Sequence, residues 1–163
     1  MSDPLVLNHP APTFDLPCLA PDGTHLQISL DTLKGQAFVL FFYPKDDTSG
    51  CTKEAIGFSE VRDQFDSVGV QVIGVSNDTL ASHEKFSKKH NLTVHLASAY
   101  ETDMISRYGA WVEKSMYGKK YMGIERSTVL IDAEGRVQGL WRKVKVPGHV
   151  QTVLDAALAL TKS

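Results

Sequence analysis

The chain has 163 residues, 42% hydrophobic and 22% charged, with a formal net charge of −2. That size and balance fit one globular domain over residues 1–163 with a proper core, and show no charge bias toward nucleic acid or an anionic membrane. Two cysteines are too few for a disulfide framework or a zinc site of their own, no apolar run approaches membrane-spanning length, and no cationic-then-apolar leader opens the chain, so the expectation is a cytoplasmic protein.

The opening, Leu5 to Pro12, is proline-rich and aperiodic, which predicts extended coil laid over the domain. Phe14-Asp15-Leu16 and Leu26-Gln27-Ile28 alternate apolar and polar around the turn Pro21-Asp22-Gly23-Thr24, so an N-terminal hairpin is expected, with Cys18 in it. Asp31 to Gly35 reads as a short turn of helix, and Phe38 to Phe42 as a buried strand. A helix should begin near Cys51, with Ala55, Phe58, Val61 and Phe65 at helical spacing, interrupted by Gly57 at a cost of about 1 kcal/mol against alanine.

Val70 to Val75 is a second buried strand, and Asn77-Asp78-Thr79 caps a helix over 80–90 with Leu80, His83 and Phe86 on one face. Val94 to Leu96 reads as a strand, Asp103 to Val112 as a helix carrying Met104, Ile105, Tyr108 and Trp111, and Gly118 to Gly123 as an exposed loop or hairpin. Ser127 to Ile131 and Val137 to Trp141 form a hairpin across Ala133-Glu134-Gly135. A helix over 148–160 closes the chain, with Val150, Val153, Leu154, Ala157 and Leu158 inward. Strands alternating with helices predict an α/β protein with a central mixed sheet and helices on both faces.

The chemistry concentrates where the strand at 38–42 ends. Pro44 cannot donate to a ladder, Asp47, Thr48, Ser49 and Gly50 are turn and cap residues, and Cys51 falls in the first turn of the next helix. An ordinary thiol, with a pKa of about 8.5, is only about 3% ionised at pH 7, and a helix N-terminus favours the nucleophilic thiolate. Thr48, three residues earlier, can bring a hydroxyl beside the sulfur, and the Cys51 amide can point the same way. A thiolate, a hydroxyl and an amide together could hold the two oxygens of a peroxide.

Pro44-x-x-x-Thr48-x-x-Cys51 resembles the active-site signature of peroxiredoxins. The longer run from Phe41 to Ala55 is similar to the branch called bacterioferritin comigratory protein or peroxiredoxin Q, with Ser49 where that branch more often has proline. Trp141 to His149 resembles the closing motif of the same branch. The resemblance implies a thioredoxin-like fold over nearly the whole chain and a peroxidase in which Cys51 attacks hydrogen peroxide or an organic hydroperoxide. It also implies that the Pro44 ring shields the sulfur, and that Arg126, in Gly123-Ile124-Glu125-Arg126-Ser127-Thr128, comes from a neighbouring strand to hold sulfur and peroxide.

Each residue also has a plainer reading. Cys51 could be a small buried hydrophobe, Thr48 only an N-cap, and Arg126 a surface ion-pair partner. Glu54 is either a first-turn acid favoured by the helix dipole or the group that orients Arg126. Asp46 and Asp47 read as turn residues. The Asp47-Thr48-Ser49-Gly50 string occurs in aspartic proteases, but that chemistry needs a second such aspartate. The dispersed histidines show no metal-binding spacing, no phosphate-binding glycine motif is present, and the lysines and tyrosines from Tyr117 to Tyr121 read as a solvated loop. Neither a metal nor another cofactor is expected.

After attack Cys51 becomes a sulfenic acid that must be cleared. Members of the branch resolve it with a cysteine five residues on, here Ile56, or on the following helix, where this chain has Ser82 and Ser87. Cys18 is the one cysteine left. The expectation is a one-cysteine cycle in a monomer, with a weak dimer as the variant, and reduction by thioredoxin, glutaredoxin or a low-molecular-weight thiol. The alternatives are a two-cysteine cycle resolved by Cys18 and a non-catalytic redox sensor.

Overall fold

Along residues 38–43 every side chain is buried, and alternate ones point to opposite faces of a pleated strand, so a single strand supplies two cores. In the computed structural model, which describes residues 3–161, the chain begins with strands β1 (Asp15–Leu19), β2 (His25–Ser29) and β3 (Ala37–Phe42), then helices α1 (Ser49–Glu60) and α2 (Arg62–Asp66). It continues through β4 (Val70–Ser76), α3 (Leu80–His90), β5 (His95–Ser98), α4 (Met104–Arg107), β6 (Trp111–Met116), β7 (Lys119–Ile124), β8 (Ser127–Ile131), β9 (Val137–Trp141) and α5 (His149–Thr161).

Seven strands form one mixed sheet in the order β2-β1-β5-β4-β3-β8-β9, and β6 and β7 form a separate two-stranded ribbon. The pairs β3–β4 and β4–β5 are parallel, as strands joined through helical crossovers must be, whereas β8 and β9 add antiparallel at one edge and the N-terminal hairpin at the other. Phe38, Leu40 and Phe42 face a core shared with Cys18, Ile73 and the α4 segment (Met104, Ile105, Tyr108). Val39, Phe41 and Tyr43 face the other core, closed by α1, α2, α5 and Phe86 of α3. Phe58 of α1 stacks on Phe41 at 4.8 Å between ring centroids and tilts against Phe65 of α2 at 6.0 Å.

Two glycines leave room for neighbouring side chains. A Cβ on Gly74 would stand 2.7 Å from Cζ of Phe41, and one on Gly57 3.0 Å from Cγ2 of Val150, so Gly57 lets α5 lie close to α1. The N-terminal coil is laid over the domain as expected. Leu5 and Ala11 are buried, the Asn8 amide donates to the Val137 carbonyl at 2.8 Å, and the Tyr108 hydroxyl donates to the Pro12 carbonyl at 2.6 Å.

Three local expectations are corrected. Residues 31–35 form turns rather than helix, because the Ser29 and Thr32 hydroxyls and amides satisfy one another (Ser29 N to Thr32 Oγ1, 2.8 Å) and Gly35 sits at φ +94°. The helix from Cys51 breaks at Val61 (φ −110°, ψ 14°), so α2 turns separately onto β4. The helix expected over 103–112 is only Met104–Arg107. Gly109 at φ +76° ends it, and Trp111 and Val112 enter β6, paired with Ile124 and Gly123. The apolar spacing of Met104, Ile105, Tyr108 and Trp111 was helical only for its first turn.

Candidate active site

The last ladder bond of the central strand runs from the Tyr43 amide to the Val75 carbonyl at 3.1 Å, and Pro44 then takes the chain out of the sheet. The loop turns back through Asp47, at φ +60°, and Thr48 stands at the N-cap of α1 in extended conformation (φ −94°, ψ 155°). Its hydroxyl does not cap the helix but donates to the Lys45 carbonyl at 2.8 Å. The helix ladder starts with the Thr52 amide on the Thr48 carbonyl, at 2.8 Å, so the Cys51 amide belongs to the free donors of the first turn.

Cys51 is 1% exposed, yet it is not simply walled into the core. Nη2 of Arg126, from the β7–β8 connection, donates to its sulfur at 3.3 Å, and Nη1 of the same guanidinium donates to Oε1 of Glu54 at 2.8 Å. One planar fork thus joins two side chains spaced three residues apart on one helix face. Glu54 is fully buried, with Oε2 unpartnered, and burial pushes its carboxyl up to about 7 although Arg126 pulls the other way. Burial works against the Arg126 charge, but Glu54 and Cys51 more than offset it and hold the guanidinium protonated.

His149, at the start of α5, is near enough to feel the Arg126 charge. Its Nε2 lies 2.7 Å from the Thr128 hydroxyl, its ring edge meets Trp141 and Phe58, and burial followed by the Arg126 charge pushes it down to about 4, so the ring is neutral at pH 7. Cys18 lies elsewhere. It is fully buried on β1, packs with the core on the opposite face from Cys51, and is pushed up to about 12 by burial; both cysteines are free. Cys51, Glu54 and Arg126 are therefore brought together, Pro44 and Thr48 form the exposed loop just before them, and Cys18 is set apart.

Sequence reasoning missed the buried partners. Asp46, read as a turn residue, is 7% exposed and bonded to Tyr43, Ser82 and His83. The proximity of His83 and Asp46 carries no local sequence signal, since they are 37 residues apart.

A mixed sheet with a helix-start cysteine after its central strand, faced by an arginine from a neighbouring connection, defines the thioredoxin-fold thiol peroxidases. The sequence matches the AhpC/TSA family over residues 7–140. It is 43% identical over 157 residues to peroxiredoxin Bcp of Xanthomonas campestris, covering 96% of this chain and 97% of that one. It is 44% identical over 148 residues to peroxiredoxin Bcp of Bacillus subtilis, covering 88% and 94%. The structure is similar to that of the Xanthomonas campestris bacterioferritin comigratory protein, described for its alkyl peroxide reduction activity, with a TM-score of 0.85, 42% identity and coverage of 98% and 99%. The chain belongs to the AhpC/TSA family and is a peroxiredoxin of the Bcp or PrxQ type, a thiol-dependent peroxidase. Among the described residues no helix is long and apolar enough to cross a membrane.

Proposed function

We propose that Cys51 is the sulfur that reduces the peroxide, and the observation that carries this reading is the 3.3 Å contact from Arg126 Nη2 to its Sγ. The thiolate attacks the nearer peroxide oxygen, the O–O bond breaks heterolytically, and the leaving oxygen takes a proton to depart as water or alcohol. Cys51 is left as a sulfenic acid. Arg126 stabilises the thiolate and then the negative charge that develops on the leaving oxygen, and a donor aimed at such charge is worth about 10²–10³ in rate. Glu54 acts by holding Nη1, so that Nη2 faces the sulfur. Thr48 spends its hydroxyl proton on Lys45, which leaves its oxygen lone pairs to accept from the peroxide O–H. Pro44 keeps water from the sulfur.

The substrates are hydrogen peroxide and organic hydroperoxides, the latter supported by the activity described for the Xanthomonas campestris neighbour. The cycle uses one cysteine. Cys18 sits on the other face of the sheet, and a disulfide needs alpha carbons within about 7 Å. The sulfenic acid is then reduced by an external thiol, from thioredoxin, glutaredoxin or a low-molecular-weight thiol. We place the enzyme in the cytoplasm as a monomer of one domain serving antioxidant defence.

Stopped-flow mixing with stoichiometric peroxide tests the assignment. Oxidation should far outpace that of free cysteine and vanish in Cys51→Ser with the fold intact. Undiminished peroxide consumption by that variant would refute it.

A further inference from the structure

Between Pro44 and Gly50 a single residue is buried, and it is a carboxylate: Asp46, flanked two residues on either side by Pro44 and Thr48. A buried carboxylate is costly unless its acceptor sites are filled, and here they are. Oδ1 accepts from the Tyr43 hydroxyl at 2.6 Å; Oδ2 accepts from the Ser82 hydroxyl at 2.8 Å and lies 2.7 Å from Nδ1 of His83. The Asp46 amide donates to Oδ2 of Asp78 at 2.8 Å, which also takes the Ser76 hydroxyl at 2.7 Å.

His83 is itself fully buried, and its Nε2 lies 3.0 Å from the Ala97 carbonyl, which can only accept. Nε2 therefore donates to Ala97, and the short Nδ1–Oδ2 contact ties His83 to Asp46. Burial raises Tyr43 well above the ordinary tyrosine range, followed by the charge of Asp46, so its hydroxyl stays a donor. The loop ahead of Cys51 is thus fastened at its midpoint to α3, to the end of β4 and, through His83, to β5. By contrast, the bonds from Lys89 and His90 to the next residue, Asp47, are exposed and contribute little.

We propose that Asp46, with His83 and Ser82, is a positioning group for the peroxidase reaction: it fixes the height of the loop, and with it the Pro44 ring and the Thr48 oxygen, over the sulfur. Asp46 does not touch the substrate. The inference rests on the reading of Cys51 and Thr48 given under Proposed function. It predicts a particular split, because the contacts of the sulfur with Arg126 and of Arg126 with Glu54 do not pass through Asp46. Ionisation of the sulfur survives loss of the anchor, whereas alignment of the peroxide does not, and a misplacement of about 1 Å costs on the order of 10²-fold in rate.

The test compares Asp46→Asn and Ser82→Ala with the unaltered chain. The readouts are the second-order rate of Cys51 oxidation by hydrogen peroxide, the ultraviolet thiolate titration and circular dichroism. The expected result is a rate lower by about tenfold or more in Asp46→Asn, and by a smaller factor in Ser82→Ala, at an unchanged titration midpoint in folded protein. Rates within about twofold of the unaltered chain in both variants would make Asp46 a stability element only and overturn the proposal. So would a fall in rate that tracks a moved titration midpoint. Should Asp46→Asn fail to fold, Ser82→Ala, which removes one donor and leaves the carboxylate paired, decides alone. Cys51→Ser run alongside separates the two claims: if it still turns over peroxide the site assignment fails, and if it is inactive while both anchor variants are unaffected, only this inference fails.

Discussion

Arg126 rests against the backbone of Gly50: a Cβ at that glycine would stand 3.1 Å from Nη2, the nitrogen that donates to the Cys51 sulfur. Such a contact is tight enough that the guanidinium must give way. Alanine is nevertheless the better helix former by about 1 kcal/mol, and Gly50 lies within α1. Gly50→Ala should therefore raise or preserve the thermal midpoint while slowing oxidation of Cys51 by on the order of 10²-fold, as loss of a charge-stabilising donor does. Calorimetry and stopped-flow on the same preparation check both signs, and equal rates would show that Arg126 tolerates the methyl group.

Gly57 offers a second sign test, this time on packing. In an isolated helix Gly57→Ala would gain about 1 kcal/mol, but the new methyl would stand 3.0 Å from Val150 Cγ2 on α5. Overpacking costs about 1–3 kcal/mol, so the single variant should be destabilised. In a Val150→Ala background the clash is removed and the same substitution should become neutral or stabilising. A denaturant-based double-mutant cycle measures this, and an absence of coupling would mean that α1 and α5 can move apart at no cost.

The buried carboxyl of Glu54 makes stability depend on pH. Its folded value, about 7, lies above its ordinary 4.5, so the folded chain holds the proton more tightly than the unfolded chain. That contribution is complete below pH 4.5 and is lost as pH rises through 7. At about 1.4 kcal/mol per unit it amounts to roughly 3 kcal/mol. His149 acts in the opposite sense: lowered from 6.5 to about 4, it favours the fold above 6.5 and loses that contribution as pH falls through 4. Unfolding curves for the unaltered chain and Glu54→Gln should therefore be subtracted across pH 4 to 8, which cancels His149. The difference should decline with rising pH, and a flat difference would contradict the shift.

The two cysteines should be chemically unlike. Cys18→Ser should leave peroxide turnover with an external thiol unchanged, and one equivalent of peroxide should add a single trappable oxygen to Cys51. Intact-mass analysis with and without a sulfenic-acid trap reads this out. A species that resists the trap and has lost two hydrogens would instead reveal an internal disulfide.

How much of this was legible in the sequence follows from the range of each interaction. The strand–turn–helix around Cys51 could be read because its signals are local: an apolar run, Pro44 as terminator, cap residues, and a cysteine in the first turn. The hairpins across Gly23 and Gly135 were readable for the same reason. The pairing of Arg126 with Cys51, 75 residues away, came only through the family resemblance, and the structure supplies its atoms. The helix expected to reach Val112 failed because Met104, Ile105, Tyr108 and Trp111 fit a helical period until Gly109 changes the backbone. Asp46 looked like an ordinary turn residue because its burial is created by α3, whose docking is a tertiary event. Gly57 was read only as a weakness of its helix, since nothing in its own segment announces Val150.

The sheet that separates Cys18 from Cys51 has a consequence for the economy of the proposed cycle. In that cycle, with Cys18 on the opposite side of the sheet, the sulfenic acid waits on a thiol from outside, so throughput under a sustained oxidant load follows the supply of that thiol. Between encounters with that supply, each oxidised copy stands idle and open to further, irreversible oxidation.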